Sequence, residues 1–415
     1  MAEANRALAI GEIVAFYRRQ RGWTQQALAM RLNRSVGWVR GIEQGARPVD
    51  SVRVVLELSE VLGVAPGKLT GKPIAPPPKG PHMPEPAGVL LELRRVLLHY
   101  DGIHGLNDAQ GDTPRPLEDL ERDTSHAWHL YETNKNNFSG VVWLLPRLLR
   151  ETRRAERAAS EGSSERRAAW RVLTKLYRLA AWELYYHGED DLAWIAADRA
   201  VSAAEQADDA LLAAAGARAL QQVLLAHGQL GDVIALGDTA AAGLIPSRDA
   251  SPERLTVWGS LRLLAAFAAA RLQDRAEHER LWGSASRAAE RLGQDRKDLH
   301  LDFGPAMAAI QRVGMLVELY EPRAALRMAE AMPADPLPTV DRRCFHRMHQ
   351  AKARFLRRDD SEAFGLLVQA ERIAPEIVRY QPMAREMVRA LLRRRRTRVP
   401  QDVRALAERL KVVPG

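Results

Sequence analysis

The residues of this sequence that could do chemistry are above all arginines. The 415 residues include 61 Lys+Arg against 52 Asp+Glu, a formal net charge of +9, and 53 of the 61 basic residues are arginine. Residues 1–72 hold 11 basic and 6 acidic residues and therefore carry +5 of the +9. Guanidinium groups bind phosphate oxygens through paired hydrogen bonds, and concentrated basic charge is a common electrostatic mark of nucleic-acid binding. The abundance of arginine is first a signature of GC-rich codons, and the concentration of basic charge in this segment makes a nucleic-acid partner a hypothesis to examine.

Metal and catalytic chemistry is poorly supported. Two spacings contain candidate metal ligands, Cys344-x-His346-x-x-His349 and His126-x-x-His129. Neither is accompanied by the second ligand cluster that structural metal sites usually have. The sequence also has no glycine-rich phosphate loop and no nucleophile elbow. We therefore expect no metal, no cofactor and no enzymatic activity.

Composition indicates a globular protein of two or three domains. Apolar residues make up 46% and charged residues 27% of the chain, and Cys344 is its single cysteine, which excludes an internal disulfide framework. The longest apolar helical stretch, near Leu263–Ala270, is bounded by Arg262 and Arg271, and no export signal is evident. We expect a cytoplasmic protein with no membrane partner.

A proline-rich segment divides the chain. Seven of the 14 residues in 73–86 are proline, which can neither pair in a sheet nor continue a helix. We predict an N-terminal domain at 1–72, a linker at 73–88 and a C-terminal domain at 89–415.

The C-terminal domain is predicted to consist of paired helices. Alanine- and leucine-rich segments are broken at short intervals by glycine, proline or aspartate, and strand signals are almost absent. A period of roughly 34 to 45 residues is typical of an α-solenoid of tetratricopeptide-like antiparallel helix pairs. Small residues fall where two helices would touch, as at Ala193, Ala197 and Ala200 and again at Ala351, Ala363 and Ala370. The predicted helices span 89–100, 116–133, 138–159, 164–187, 190–206, 208–227, 231–243, 252–271, 274–292, 303–319, 322–331, 338–357, 360–373, 382–396 and 402–411. The predicted fold class is all-α throughout.

The N-terminal domain is predicted to contain four or five short helices. Thr24 should cap a helix that ends at Leu32, and Ser35 should cap a second helix that runs to Gln44 and ends at Gly45. Two helices joined by a short turn allow the second to lie in the major groove of a duplex while the first braces against the backbone.

These residues resemble a known family. Arg21-Gly22-Trp23-Thr24-Gln25 precedes Leu28-Ala29, Val39 is followed by Ile42-Glu43-x-Gly45, and Leu62-Gly63-Val64 comes later. In this order they resemble the Cro/phage-repressor type helix-turn-helix, the XRE family, over about residues 8–71. The resemblance implies a small five-helix domain that binds double-stranded DNA.

The resemblance also implies roles for individual residues. Gln25 and Ser35, with the amides of the helix after Ser35, would bind phosphates. Arg34, Arg47 and either Arg18 or Arg19 would add further phosphate contacts. The candidate DNA-binding residues are Gln25, Arg34, Ser35, Val36, Gly37, Trp38, Arg40, Gly41 and Arg47.

The base-reading positions depart from the family pattern. They correspond to Val36, Gly37, Arg40 and Gly41, and the two glycines offer no side chain. Direct readout would then depend on Arg40 at a guanine and Val36 at a thymine methyl, and specificity could be relaxed or come from DNA shape. We expect Trp38 to pack on the preceding helix or the linker, with a DNA contact as the alternative. Glu43 is expected to be a structural acid.

The helical repeats suggest a binding groove. Proteins in which a helix-turn-helix continues into such repeats resemble bacterial regulators whose array binds a signalling peptide, a small molecule or a protein partner. Polar and aromatic residues on predicted first helices are candidates for the groove, although such residues are often core or solvated. They are Trp182, Tyr186, Gln222, Trp258, Arg262, Gln311, Arg312 and His346. The sequence thus predicts a homodimeric transcription regulator that senses an effector. The alternative is a protein-interaction adaptor with a degenerate or protein-binding helix-turn-helix domain.

Overall fold

The structure is a computed structural model and divides the chain into two compact units, residues 1–79 and 80–415. It describes residues 10–21, 23–32, 34–47, 49, 54, 57, 58, 61, 62, 64, 87–99, 113–133, 141–332, 339–394, 401–410 and 412. Residues 73–86 of the predicted linker lie outside this set, while residues 87 and 88 begin a helix.

The helices of the N-terminal unit whose bounds lie within the described residues are α1 Ile10–Gln20, α2 Gln25–Leu32 and α3 Val36–Glu43. Both predicted caps are confirmed, because the hydroxyl of Thr24 accepts the Ala27 N–H and that of Ser35 accepts the Trp38 N–H, each at 3.1 Å. Positions 54, 57, 58, 61 and 62 are helical, as the predicted fourth helix requires. The remainder of that helix, and the predicted fifth, lie outside the described residues.

One apolar core holds this unit together. Its fully buried members are Val14, Leu28, Ala29, Leu32, Val39, Ile42, Leu58 and Leu62. Gly11 permits a close approach within this core, since a Cβ on Gly11 would overlap the carbonyl oxygen of Ile42. Because Gly11 has no side chain, α1 can lie this close to α3.

The second unit is a stack of helices, as predicted. They are α4 Ala87–Leu97, α5 Leu117–Thr133, α6 Leu145–Ala158, α7 Ser164–Tyr186, α8 Asp190–Gln206, α9 Ala210–Ala226, α10 Leu230–Ala242, α11 Pro252–Leu272, α12 Arg275–Leu292, α13 Pro305–Glu318, α14 Pro322–Glu330, α15 Val340–Leu356, α16 Asp360–Ile373, α17 Pro375–Tyr380, α18 Pro382–Arg394 and α19 Gln401–Arg409. Consecutive helices from α7 to α16 pack on each other, which confirms the repeat-like architecture.

Alanine makes this close packing possible. Ala193, Ala197 and Ala200 on α8 are fully buried, as are Ala363 and Ala370 on α16. A methyl group lets two helix backbones approach more closely than leucine would, so the sequence could mark these contact points in advance.

A two-stranded hairpin interrupts the stack and was not predicted. Strands β1 Arg296–Asp298 and β2 Leu301–Phe303 pair antiparallel between α12 and α13, with Arg296 opposite Phe303. Three residues are too few to show an alternating pattern. Both turn residues, Leu299 and His300, have positive φ angles of 49° and 57°, where glycine or asparagine is usual. Only tertiary contacts can hold such residues in that geometry.

Helix α11, which contains the apolar stretch Leu263–Ala270, is long and apolar enough to cross a membrane by length and composition alone. In the structure 72% of its apolar window is buried. It packs against α10, α12 and α13 within the second unit.

Candidate nucleic-acid interface and array pocket

Helix α3 presents one side to the core and the other to the surface of its unit. Val39 and Ile42 are 1% and 2% exposed and fix the inner side. Ser35, Val36, Gly37 and Arg40 are exposed and Gly41 is half-buried, and we call these five residues the outer face of α3. The four positions that the family resemblance assigns to base reading therefore lie together on the surface of this unit.

Backbone groups at the start of α3 add to this face. The helix begins at Val36, directly after the Ser35 cap, so its first amides point along the axis toward the exposed end. Such amides and the helix dipole favour an anion. The predicted phosphate contact at Ser35 is geometrically open.

A buried ion pair locks the two helices of the motif to α1. Arg18 Nε donates to Glu43 Oε1 at 2.6 Å and Arg18 Nη2 to Glu43 Oε2 at 3.0 Å. Gln25 Nε2 donates to the same carboxylate at 2.8 Å. The Arg18 and Glu43 side chains are only 12% and 6% exposed. Glu43 is thus a structural acid, and its partners are one residue from α1 and one from α2.

This arrangement bears on two predicted phosphate contacts. The side-chain amide of Gln25 donates to Glu43, so its contact to a phosphate stays a prediction that requires a shared or rearranged amide. Arg18 is committed to Glu43 and to the Trp23 carbonyl at 2.6 Å. Of the pair Arg18 and Arg19, Arg19 is the exposed one.

The Glu43 carboxyl titrates below its usual range. Burial alone would raise the pKa of Glu43, but hydrogen bonds from Arg18 and Gln25 and the charge of Arg18 outweigh burial and lower it. A carboxyl whose pKa falls on folding adds stability above its unfolded pKa, and this stability is lost as the pH drops through the folded value.

We therefore expect Glu43→Gln to destabilise the N-terminal unit at pH 7 by about 2–3 kcal/mol, because it leaves Arg18 buried without a counter-charge. The gap to the wild type should shrink as the pH falls below the folded pKa of Glu43, where the wild-type carboxyl is also neutral. Hydrogen exchange of peptides covering residues 10–44 in the full-length protein measures both effects. The matched control is Glu57→Gln, whose partner Arg34 is 37% exposed, and it should cost less than about 1 kcal/mol. Equal losses of stability in Glu43→Gln and Glu57→Gln would contradict the structural role of Glu43.

The remaining predicted DNA contacts lie around α3. Arg34 Nη2 donates to Glu57 Oε2 at 3.1 Å, and its guanidinium lies 5.1 Å from the Trp38 ring centroid. Trp38 is half-buried and packs against the unit's core, as expected. Arg47 is exposed and its backbone N–H bonds to the Gly41 carbonyl at 2.9 Å.

Sequence inspection missed one basic cluster in this unit. The Arg31 guanidinium lies 3.9 Å and that of Arg21 lies 5.4 Å from the Trp23 ring centroid. Burial and the charge of Arg31 lower the pKa of Arg21. The signal was present in the sequence, since an arginine that precedes a tryptophan by two residues and one that follows it by eight can bracket its ring.

The second unit contains a polar pocket, which we call the array pocket. Its volume is about 50 Å³, and it lies among α5, α7, α9, α11, the start of α15 and the tip of the hairpin. It is lined by Trp128, Tyr131, Glu132, Arg178, Trp182, Arg218, Ala219, Ser260, His300, Leu301, Asp302, Thr339, Asp341 and Arg342.

The predicted groove residues are only partly brought together. Trp182 lines the array pocket. Tyr186 stacks on Trp182 with ring centroids 5.9 Å apart but is almost fully buried. Gln222 lies behind the pocket, where its amide oxygen is 3.4 Å from Arg218 Nη1.

The other five predicted groove residues lie elsewhere in the array. Arg262 pairs with Asp238 and covers the Trp258 ring at 5.3 Å. Arg312 pairs with Glu279 at 2.7 Å, and Gln311 next to it is half-buried. His346 is buried beside Gln350 at 3.2 Å, and burial, with the charge of Arg347, lowers its pKa to about 4.

The sequence-based selection missed the three pocket arginines, Arg178, Arg218 and Arg342. Arg178 lies between Tyr177 and Leu179, and Arg218 between Ala217 and Ala219, all four of them buried. An arginine inside such an apolar run is the available signal, because arginine is rarely buried without a partner. Because arginine is abundant throughout the chain, this signal did not stand out in the sequence.

The histidine and cysteine spacings form no metal cluster in the structure. Among the residues that the structure describes, no group of three or more His, Cys, Asp and Glu side chains could hold a metal ion. Cys344 is buried, and its thiol lies 3.6 Å from the Ala370 carbonyl.

Comparison with known proteins identifies the N-terminal unit. Residues 9–70 match the family model of a helix-turn-helix domain, which confirms the resemblance over that segment. No curated protein matches the sequence. The crystal structure of Bacillus thuringiensis PlcR in complex with the peptide PapR7 and DNA aligns with 88% of this chain and 99% of that chain, at 12% identity and a TM-score of 0.32.

Proposed function

We propose that this protein is a DNA-binding transcription regulator that acts in the cytoplasm and has no catalytic activity. The observation that carries the proposal is the outer face of α3, which is exposed on its unit within a helix-turn-helix domain at residues 9–70. The C-terminal array would sense an effector, a signalling peptide or a small molecule, and would mediate dimerisation.

The outer face suits a duplex in three respects. Arg40 is exposed and can donate to both acceptors of a guanine in the major groove. The Ser35 cap and the first amides of α3 can hold a phosphate. A Cβ on Gly37 would meet nothing closer than the Ser35 hydroxyl at 3.9 Å, so the glycine leaves this backbone open to close approach by the duplex.

Homodimer formation follows from the size of this face. One short helix contacts only a few base pairs, whereas two copies can read half-sites about 34 Å apart along the duplex. We expect sedimentation velocity to show a dimer in solution and a two-to-one complex with a duplex that contains two half-sites.

The function can be tested by mobility shift with a duplex selected from genomic fragments by the full-length protein. We expect Arg40→Ala to reduce the preference for that duplex over random DNA by about ten- to a hundred-fold. Arg34→Ala should weaken binding to both duplexes alike and lower the slope of log K against log salt by about one phosphate, or 0.9 units. Arg287→Ala is the matched control, since it removes an equally exposed arginine from the second unit.

Two results would contradict the proposal. In the first, the full-length protein binds the selected duplex no more tightly than random DNA at any salt concentration. In the second, Arg287→Ala weakens binding as much as Arg40→Ala does. The alternative, an interaction adaptor with a degenerate or protein-binding helix-turn-helix domain, would then be favoured by the missing side chains at Gly37 and Gly41.

A further inference from the structure

Three arginines and three carboxylates line the array pocket, but they are unevenly paired. Arg178 and Arg218 are 1% and 7% exposed, and both line the pocket together with Arg342. The three guanidinium groups are close enough that the charges of Arg342 and Arg178 both lower the pKa of Arg218. Like charges repel most strongly where water is excluded, so this cluster requires negative charge nearby.

All three lining carboxylates already have cationic partners: Glu132 and Asp302 lie beside Lys297, which is outside the pocket lining, and Asp341 lies beside the pocket's own Arg342. Glu132 accepts from Lys297 Nζ at 2.8 Å and lies 3.3 Å from His300 Nδ1. Asp302 is 3.6 Å from the same lysine, and Asp341 is 3.7 Å from Arg342.

Among the residues that the structure describes, Arg178 and Arg218 hydrogen-bond only to neutral groups. Arg178 Nη1 donates to the Leu299 carbonyl at 2.7 Å, and Arg218 Nη1 to the Gln222 amide oxygen at 3.4 Å. The Nε of each is buried and has no hydrogen-bond partner among the described residues. Burial lowers the pKa of Arg178 to about 10 and that of Arg218 to about 9, so both remain charged at neutral pH. Two charged groups with unused donors therefore line the array pocket.

The size of the pocket limits what can enter. A cavity of about 50 Å³ has room for roughly four water molecules, which is enough for one carboxylate or phosphate group but not for a folded segment. The indole rings of Trp128 and Trp182 line the pocket beside the arginines and provide an apolar wall for the carbon atoms of an organic anion.

We propose that the array pocket binds the oxyanion, a carboxylate or phosphate group, of a small effector, with Arg178 and Arg218 as its counter-ions. This inference rests on the proposed function, because it names the chemistry of the effector that the array would sense. A carboxylate or phosphate accepts paired N–H bonds from a guanidinium group and supplies the counter-charge that Arg178 and Arg218 lack among the described residues.

The hairpin tip connects the pocket to the rest of the array. The Leu299 carbonyl accepts from Arg178, and the His300 ring stacks on Trp128 with centroids 4.3 Å apart. Leu299 and His300 both have positive φ angles. An anion on Arg178 competes with the Leu299 carbonyl for the guanidinium group, so occupancy of the pocket acts on a strained turn.

Calorimetric unfolding of the full-length protein without DNA tests the proposal. The probes are inorganic phosphate and acetate, each compared with chloride at the same ionic strength, and acetamide is the uncharged match to acetate. We expect phosphate or acetate to raise the unfolding temperature of the array saturably, by about 5 °C at a hundred-fold excess over Kd, and acetamide to have no effect. A response to phosphate alone assigns a phosphate-bearing effector, and a response to acetate alone assigns a carboxylate.

Three variants make the test specific. Arg218→Gln should abolish the shift and, without anion, should unfold at a higher temperature than the wild type, because a buried charge without a carboxylate partner has been removed. A purely structural arginine would show the opposite change. Arg218→Lys, which keeps the charge but loses the paired donors, should weaken anion affinity about ten-fold. Arg287→Gln, on the surface of the array, should retain the full shift.

The proposal is overturned if neither phosphate nor acetate exceeds chloride, or if Arg218→Gln keeps the shift. Because DNA is absent, these outcomes are independent of the mobility-shift test. If anions raise the unfolding temperature but the protein does not bind DNA, the anion site is supported and the regulator function is rejected. If the protein binds DNA but anions do not raise the unfolding temperature, the regulator function is supported and the anion site is rejected.

Discussion

Gly11→Ala is expected to unfold the helix-turn-helix unit and abolish DNA binding by the full-length protein. A Cβ on Gly11 would overlap the backbone carbonyl oxygen of Ile42, which cannot rotate away as a side chain could. Helices α1 and α3 would have to separate, and this would break the Arg18–Glu43 ion pair and the core around Val14. The combined cost should exceed about 3 kcal/mol, a large part of the stability of a domain of this size.

Local hydrogen exchange measures this effect in the intact chain. Amides of residues 10–44 should lose protection in Gly11→Ala, while those of α7 to α16 should be unchanged. Gly37→Ala is the matched control, since the added Cβ has open space, and helix propensity should then raise stability by up to about 1 kcal/mol. If Gly11→Ala keeps wild-type protection, the close contact between α1 and α3 is wrong.

Gly259→Ala is expected to destabilise the second unit by about 1–3 kcal/mol, despite the better helix propensity of alanine. Gly259 lies in the middle of α11, directly under the ring of Phe303 at the end of the hairpin. Phe303 is fully buried, so its ring has no free space into which to move. The added methyl should displace β2 and with it the His300 side of the array pocket.

A double-mutant cycle tests whether the contact between Gly259 and Phe303 causes this loss of stability. Phe303→Ala alone should cost about 3–5 kcal/mol through the cavity it leaves. The combined Gly259→Ala and Phe303→Ala variant should lose less than the sum, because the methyl then occupies part of that cavity. Gly231→Ala on α10, where the added Cβ meets nothing, should not lower the unfolding temperature. Strict additivity in the cycle would contradict the predicted packing of Phe303 on Gly259.

Sequence patterns predicted helix positions in both units, but from different signals. In the N-terminal unit, capping residues and apolar spacing sufficed to place α2 and α3 within one residue of their observed ends. In the array, the helix ends coincide with breaks at glycine, proline and aspartate, as at Asp209 before α9 and Gly293 after α12. The hairpin was missed because its strands are short and its turn residues, Leu299 and His300, are unusual for their φ angles.

Local chemistry alone determined the helices, their order and the outer face of α3, because caps, helix breaks and apolar periodicity act over only a few residues. The tertiary structure decided which polar side chains meet. Arg18 joins Glu43 across 25 positions, and Arg178 meets the Leu299 carbonyl across 121. Contacts between such distant positions arise from the packing of whole helices, and their energies depend on burial, which no local pattern specifies. The array pocket, too, is a feature that only the tertiary structure decided.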